Sequence, residues 1–167
     1  MGIISAKANQ ITAVGSEGHW MEVKKITAEE SYIVRHPVLR SGRPIQDCAF
    51  EYDDHPSSIH LGLEVEGKVI SVISALPIRC ENFPKLVAMR LRGIATLESY
   101  QRQGYGTQLI NGIEKRLFKN KGIELMWLNA RINASEFYRK MGFKTIGDHF
   151  TIKGIGPHQQ YFKMINR

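Results

Sequence analysis

The residues best suited to chemistry lie between Leu91 and Thr107, where an apolar strand pattern ends, a polar turn follows and an amphipathic helix pattern begins. In that turn, Gly104 and Gly106 would let backbone N–H groups approach an anion without an intervening Cβ atom. The amino end of a helix adds unpaired N–H groups and the positive end of its dipole, and Arg102 adds a full charge. The pattern predicts a phosphate-binding turn, although a tight strand-to-helix connection without a ligand would have the same spacing.

Two common phosphate-binding motifs do not match this segment. A dinucleotide-binding turn needs a third glycine where this chain has Leu109. A P-loop needs Gly-Lys-Ser/Thr, and here Gly106 is followed by Thr107 and Gln108. Phosphate binding at this turn would therefore follow a different pattern.

A second segment, from Ala134 to Phe143, places Tyr138 on a short amphipathic helix. Apolar and aromatic residues recur there at helical spacing, and Gly142 follows the last of them. Asn133 and Glu136 have the spacing of a capping box, which predicts that the helix begins at about Ala134.

Together the two segments resemble the GCN5-related N-acetyltransferase (GNAT) superfamily. The run from Gln101 to Gly106 matches the family's Gln/Arg-x-x-Gly-x-Gly/Ala loop, and Ile94-Ala95-Thr96 resembles the strand end before it. Residues 134–143 resemble the second signature, Ala-x-x-(aromatic or Leu)-Tyr-x-x-x-Gly-Phe, and the two motifs occur in the family's order. The strict resemblance covers residues 90–145.

The resemblance implies transfer of an acetyl group from acetyl-CoA to an amine acceptor, either a small molecule, an amino acid derivative or a protein amine, with no metal. Backbone groups of Ile94, Ala95 and Thr96 would bind the pantetheine arm and polarise the acetyl carbonyl. Tyr138 would protonate the leaving thiolate, which a phenol can do; as an aromatic on an amphipathic helix, it could instead be only a core residue. The pyrophosphate would be bound by the loop residues Arg102, Gln103, Gly104, Tyr105, Gly106 and Thr107.

The chain departs from the family's pattern at Arg131, where many members have an asparagine. Asn129 and Asn133 flank this position and are candidates for cofactor binding. Alternatively, Arg131 could itself reach a phosphate of CoA.

The acceptor side is less well defined. The general base that an amine needs could be Glu98, Glu64, His60 or His158. His158, in the loop before the last strand, is also a candidate for contacting the acceptor. Arg92 is unusual in an apolar strand; it could bind an acceptor carboxylate, or it could face solvent or an acidic neighbour.

The predicted elements indicate a mixed α/β fold. Together with the resemblance, they predict a central twisted sheet of about seven strands, mostly antiparallel, with helices on both faces. A capping box of Thr27 and Glu30 would start the first helix. Residues 1–20 are interpreted as a leader, either flexible or an added edge segment, and residues 21–167 as one acetyltransferase domain. The predicted strands are 21–27, 60–66, 69–76, 88–97, 123–129, 143–151 and 159–165, and the predicted helices are 28–39, 104–120 and 134–141.

Composition limits the remaining possibilities. The chain has 167 residues, 43% of them hydrophobic and 23% charged, as in ordinary soluble domains. It has no apolar run long enough for a membrane span and no secretory pattern, so we expect a cytoplasmic protein with no membrane partner. Cys48 and Cys80 lack metal-ligand spacing and are expected to be reduced thiols.

The net charge of +7 favours an anionic partner, but the basic residues are scattered, so nucleic acid is not indicated. Two readings compete with the enzyme: a CoA-binding regulatory domain that has lost catalysis, and a nucleic-acid-binding module. A homodimer is suggested only by analogy with the fold.

Overall fold

The computed structural model describes the backbone of residues 11–14 and 20–165 and the side chains of residues 21–165. Its three α-helices are α1 (Ala28–Leu39), α2 (Tyr105–Lys119) and α3 (Ser135–Lys140). Short 3₁₀ turns occupy Ile45–Cys48, Glu98–Tyr100 and Ile132–Ala134. The strands are β1 (Ile11–Val14), β2 (Trp20–Lys25), β3 (Ile59–Val65), β4 (Lys68–Leu76), β5 (Ala88–Thr96), β6 (Leu125–Arg131), β7 (Lys144–Ile152) and β8 (Gly156–Met164).

All these strands join one mixed sheet in the order β1-β2-β3-β4-β5-β6-β8-β7. Every neighbouring pair is antiparallel except β5 and β6, which run parallel. The predicted fold is therefore confirmed, with each of the seven predicted strands present. The short edge strand β1 is additional, and it lies in the segment interpreted as a leader. Residues 1–10 and 15–19 of that segment lie outside the described residues.

One face of the sheet carries α2 and the larger part of the core. The apolar stripe of α2, with Leu109, Ile113 and Leu117, is almost completely buried. It packs against inward-facing residues of the β3–β4 hairpin such as Leu61 and Ile73. The apolar residues that alternate along the strands thus pack against those that recur at helical spacing on α2, and together they form one apolar layer.

The other face carries α1. Its predicted capping box is confirmed, because the backbone N–H of Glu30 donates to Thr27 Oγ1 at 3.1 Å and the N–H of Thr27 donates to Glu30 Oε1 at 3.2 Å. Val34 packs there with Val72 and Ala95 of the sheet. The sheet therefore presents one apolar face to α2 and a smaller, partly polar face to α1. Among the described helices, none is long and apolar enough to cross a membrane.

Candidate active site

The parallel strands β5 and β6 diverge and open a cleft in the sheet. Their register pairs Ala88–Arg90 with Leu125–Trp127 and stops there. Beyond Arg90, the backbone N–H and C=O groups of β5 that point toward β6 have no strand partner. Unpaired backbone groups of this kind can bind an extended ligand as an added strand would.

A β-bulge in β5 lies beside this cleft. Val72 opposes Ala95 and Ser74 opposes Arg92, so β5 carries one extra residue at Gly93–Ile94. Gly93 has a φ of +66°, and a Cβ atom there would lie 2.7 Å from the Phe50 ring, so this position accepts only glycine. The bulge therefore changes the direction of the backbone at the position expected to meet the thioester.

The turn between β5 and α2 has the conformation of an open helix start. Arg102 and Gly104 have φ angles of +64° and +80°, and Gly104 is the N-cap of α2. No side chain among the described residues caps this end of α2. Its first N–H groups consequently remain available to an anion, with the positive end of the helix dipole behind them.

Other contacts hold the turn in place. Gln101 Nε2 donates to the carbonyl of Thr96 at 2.9 Å, which ties the turn to the end of β5. The Tyr105 hydroxyl donates to Gln103 Oε1 at 3.0 Å. The Thr96 carbonyl, one of the backbone groups predicted to contact pantetheine, is thus already in use within the protein.

Tyr138 lies on α3 among aromatic rings and also lines the cleft. It is 7% exposed, and its ring centroid is 5.0 Å from those of Phe137 and Tyr161 and 5.6 Å from that of Phe143. Burial, with a smaller contribution from Tyr161, raises the pKa of Tyr138 to about 12. The phenol is therefore fully protonated at neutral pH and can act as a proton donor.

The cleft brings together four of the predicted site residues. It has a volume of about 210 Å³ and is lined in part by Arg92, Ile94, Asn129 and Tyr138.

Asn133 is exposed and lies in the 3₁₀ turn before α3. The predicted capping box at this helix is wrong: Ala134 is the N-cap, no described side chain bonds there, and the 3₁₀ turn takes the place of a side-chain cap. Arg131 is also exposed.

The candidate bases lie elsewhere. Glu64 forms an ion pair with Lys24, and Glu98 is exposed in a 3₁₀ turn. His158 is buried beside Phe150, and its Nδ1 lies 2.8 Å from the carbonyl oxygen of Gly156, so Nδ1 carries the proton. None of these three residues lines the cleft.

His60 belongs to a buried network under α1. Its Nε2 lies 2.8 Å from the carbonyl oxygen of Asp53, and its Nδ1 lies 2.6 Å from Ser74 Oγ. The Asp53 carbonyl can only accept, so Nε2 donates to it, and Nδ1 shares a second hydrogen bond with Ser74 Oγ, which also accepts from Arg35 at 2.8 Å. Both ring nitrogens are occupied, which leaves His60 no free lone pair for base catalysis.

Sequence reasoning missed Arg90, which lines the cleft two residues before Arg92. It also missed Arg35, whose two terminal nitrogens donate to both oxygens of Asp53 at 2.7 and 3.0 Å. The signal for Arg90 was present, because a second arginine at i, i+2 in an apolar strand shares a face with the first. No sequence signal links Arg35 to Asp53, since the loop that carries Asp53 has no regular pattern.

Comparisons with known proteins agree with this architecture. The chain matches the acetyltransferase (GNAT) family over residues 20–143. It is 38% identical over 145 residues to YitI, an uncharacterised N-acetyltransferase of Bacillus subtilis (strain 168), covering 87% of this chain and 97% of that protein.

Two solved structures share the fold at low sequence identity. An aminoglycoside 6′-N-acetyltransferase complexed with coenzyme A has a TM-score of 0.68 and 14% identity, covering 87% of this chain and 97% of the other. The ribosomal-protein-S18-alanine N-acetyltransferase from Escherichia coli has a TM-score of 0.67 and 18% identity, covering 88% and 95%. The chain therefore belongs to the GNAT family, and it is an acyltransferase of the N-acetyltransferase type.

Proposed function

We propose that the protein transfers the acetyl group of acetyl-CoA directly to an amine, with Tyr138 as the general acid. The observation that carries the proposal is the cleft between β5 and β6: it is lined by Tyr138, and β5 leads from it to the uncapped start of α2. The segment from β5 to α2 would thus join a candidate anion site to a candidate proton donor. The family uses acetyl-CoA, which supplies an activated thioester.

The phosphate end of the path is the segment from Arg102 to Thr107. N–H groups at the start of α2 would donate to the pyrophosphate, and the exposed Arg102 would add a charge-assisted bond. The protein leaves this space open: a Cβ atom at Gly104 would have no neighbour within 4 Å, and one at Gly106 would meet only Ile94, at 4.0 Å.

The middle of the path is the unpaired edge of β5. Backbone groups of Ile94 and Ala95 would bind the pantetheine arm. The contributions of Ala95 and Thr96 would be smaller than that of Ile94, because the Ala95 carbonyl already accepts from Ser71 Oγ and the Thr96 carbonyl from Gln101 Nε2. Of the two flanking asparagines, Asn129 is the better placed for cofactor binding, because it lines the cleft whereas Asn133 is exposed.

The reaction takes place at the bulge. The amine nitrogen attacks the carbonyl carbon, a C–N bond forms and the C–S bond breaks. A backbone N–H beside Gly93 would stabilise the negative charge that develops on the carbonyl oxygen. Tyr138 would donate its proton toward the departing sulfur. The nitrogen would lose its second proton to solvent as the amide forms, and Tyr138 would regain a proton from solvent, so that the products are an amide and a free thiol.

The amine must lose a proton before it attacks. The candidate carboxylates and imidazoles among the described residues, namely Glu64, Glu98, His60 and His158, do not line the cleft. We therefore infer that this proton passes to solvent. His158 lies two residues along β8 from Gln160, whose side chain contacts Asn129 of the cleft. His158 would therefore contact the acceptor only from the edge of its site.

The test is turnover of acetyl-CoA with a panel of small amines, amino acids and peptides. Thiol release and the acetylated product are measured together, and heat-inactivated protein is the control. Acetylated product at a rate above the control supports the proposal. Tight binding of CoA without turnover on any amine would favour the regulatory domain instead.

A further inference from the structure

Two arginines in the cleft have side chains that the proposed reaction does not use. We propose that Arg90 and Arg92 bind a carboxylate of the acceptor, so that the acceptor is a small amine of the amino-acid type. This inference rests on the proposed acetyl transfer, and it names the class of substrate for that same cleft.

The two residues share one face of β5. They are separated by two positions in a strand, so their Cα atoms are about 7 Å apart and their side chains leave the sheet on the same side. Both are half-buried and both line the cleft that contains Tyr138. Two guanidinium groups at this spacing can converge on one carboxylate or hold the two carboxylates of a larger acceptor.

Aromatic rings support both guanidinium groups. The guanidinium carbon of Arg90 lies 5.1 Å from the ring centroid of Trp127, and that of Arg92 lies 4.2 Å from the ring centroid of Phe50. The indole is itself held, because Trp127 Nε1 donates to the carbonyl of Ile78 at 2.9 Å. These contacts restrict the arginine side chains but satisfy none of their N–H donors.

Neither arginine has a carboxylate partner among the described residues. The negative charge of Asp53 favours the charged form of Arg92, but both carboxylate oxygens of Asp53 already bind Arg35. One of these oxygens also accepts a hydrogen bond from the N–H of Phe50. Within the same part of the chain, Arg90 Nε is buried and has no hydrogen-bond partner.

An unpaired cation in a half-buried site carries a desolvation cost that a bound anion would offset. Burial lowers the pKa of both guanidinium groups, and each is lowered further by neighbouring arginines, Arg90 by Arg92, and Arg92 by Arg40 and Arg35. Burial is the larger cause, and the neighbouring arginines add positive repulsion that Asp53 opposes only at Arg92. A carboxylate is the group that relieves it with matching geometry, since the planar guanidinium binds carboxylates in a bidentate manner.

The size of the cleft limits the acceptor. About 210 Å³ has room for the reacting end of a thioester and a small molecule. Because Arg92, Gly93 and Tyr138 line the same cleft, a carboxylate bound by Arg92 would share that cleft with the proposed site of attack. An α-amino acid satisfies both conditions, with its amine toward Tyr138 and its carboxylate toward the arginines.

The test uses the products that such a reaction would give. CoA-saturated protein is titrated by calorimetry with a panel of N-acetyl-α-amino acids, each compared with its own α-carboxamide. We expect at least one acid to bind about 10- to 100-fold more tightly than its amide, as for hydrogen bonds to a charged group. Equal affinity of acids and amides across the panel, or no binding of either, would overturn the inference.

Variants locate the effect. R90Q and R92Q should each weaken binding of the acid about 10-fold and leave binding of the amide unchanged. R92K should retain part of the preference, because lysine keeps the charge but lacks the planar fork. R116Q is the matched control: Arg116 lies on α2, where it donates to the carbonyl of Gly112, and its loss should not affect the preference.

Binding of CoA, measured first for every protein, separates the two proposals. CoA binding without any preference for acids overturns this inference and leaves the proposed function standing. If wild-type protein does not bind CoA, the proposed function fails and this inference fails with it. If R92Q weakens binding of CoA itself, the arginines serve the cofactor and not the acceptor. The comparison of acids with amides on wild-type protein stands even if a variant does not fold.

Discussion

Replacing Tyr138 by phenylalanine should slow acetyl transfer and leave the fold and the affinity for CoA intact. The ring packs against Phe137, Phe143 and Tyr161, and phenylalanine keeps all of these contacts. Only the hydroxyl at the cleft is lost. The free energy of unfolding should therefore change by less than about 1 kcal/mol.

The magnitude follows from the pKa. General acids contribute about 10²- to 10⁴-fold to the rate. The pKa of Tyr138, at about 12, exceeds the value of about 8.5 for a thiol, so complete transfer of the proton to a thiolate is uphill. The phenol then acts mainly through a hydrogen bond to the departing sulfur, and we expect a loss in kcat near 100-fold, the lower end of that range.

The assay is thiol release with an amine identified in the acceptor panel, together with calorimetric titration of CoA. Tyr161→Phe is the matched control, because this residue is buried in the same aromatic cluster but its hydroxyl donates to the carbonyl of Arg131. That variant should lose about 1 kcal/mol of stability and retain its rate. A Tyr138→Phe protein with wild-type turnover would refute the acid role.

Two further predictions concern the loop and the buried phenol. Gly104→Ala should destabilise the protein by about 1–2 kcal/mol and weaken CoA binding, because the φ of +80° strains any side chain. Gly106→Ala should instead stabilise the protein by about 0.5–1 kcal/mol, because Gly106 is helical and has open space around it. Thermal unfolding of both variants measures the difference, and equal effects would contradict this prediction. An unfolded tyrosine has a pKa of about 10 and Tyr138 one of about 12, so between these values only the unfolded state loses this proton. This ionisation leaves the free energy of unfolding unchanged below pH 10 and should lower it by up to about 3 kcal/mol toward pH 12, relative to Tyr138→Phe. Urea unfolding of wild type and Tyr138→Phe across that range measures the difference, and parallel pH dependences would exclude the raised pKa.

The fold could be predicted because its elements are locally determined. The alternation in the β3–β4 hairpin, the stripe on α2 and the capping box of Thr27 and Glu30 each act within a few residues, and the structure has all three. The box at Asn133 and Glu136 shows the limit of such patterns. The spacing was correct, but a 3₁₀ turn occupies Ile132–Ala134 and moves the N-cap to Ala134.

The site could be predicted only in part, for a physical reason. Residues of the turn before α2 are adjacent in sequence, so their spacing alone is enough to predict a phosphate site there. The cleft depends instead on the divergence of β5 from β6, which no local pattern encodes. The i, i+2 spacing of Arg90 and Arg92 shows that they share a face of the strand, but it does not show that this face borders a cleft. Likewise, His60 looked available although Ser74 and Asp53 occupy both of its ring nitrogens.

The proposed acetyl transfer depends first on binding of acetyl-CoA, which calorimetric titration of the wild-type protein and of Arg102→Gln measures. We expect a dissociation constant in the micromolar range for the wild-type protein, on the order of −8 kcal/mol. We expect about 10-fold weaker binding to the variant, because a charge-assisted bond to the pyrophosphate is lost. An absence of detectable binding to the wild-type protein would contradict both the phosphate loop and the acetyl transfer that depends on it.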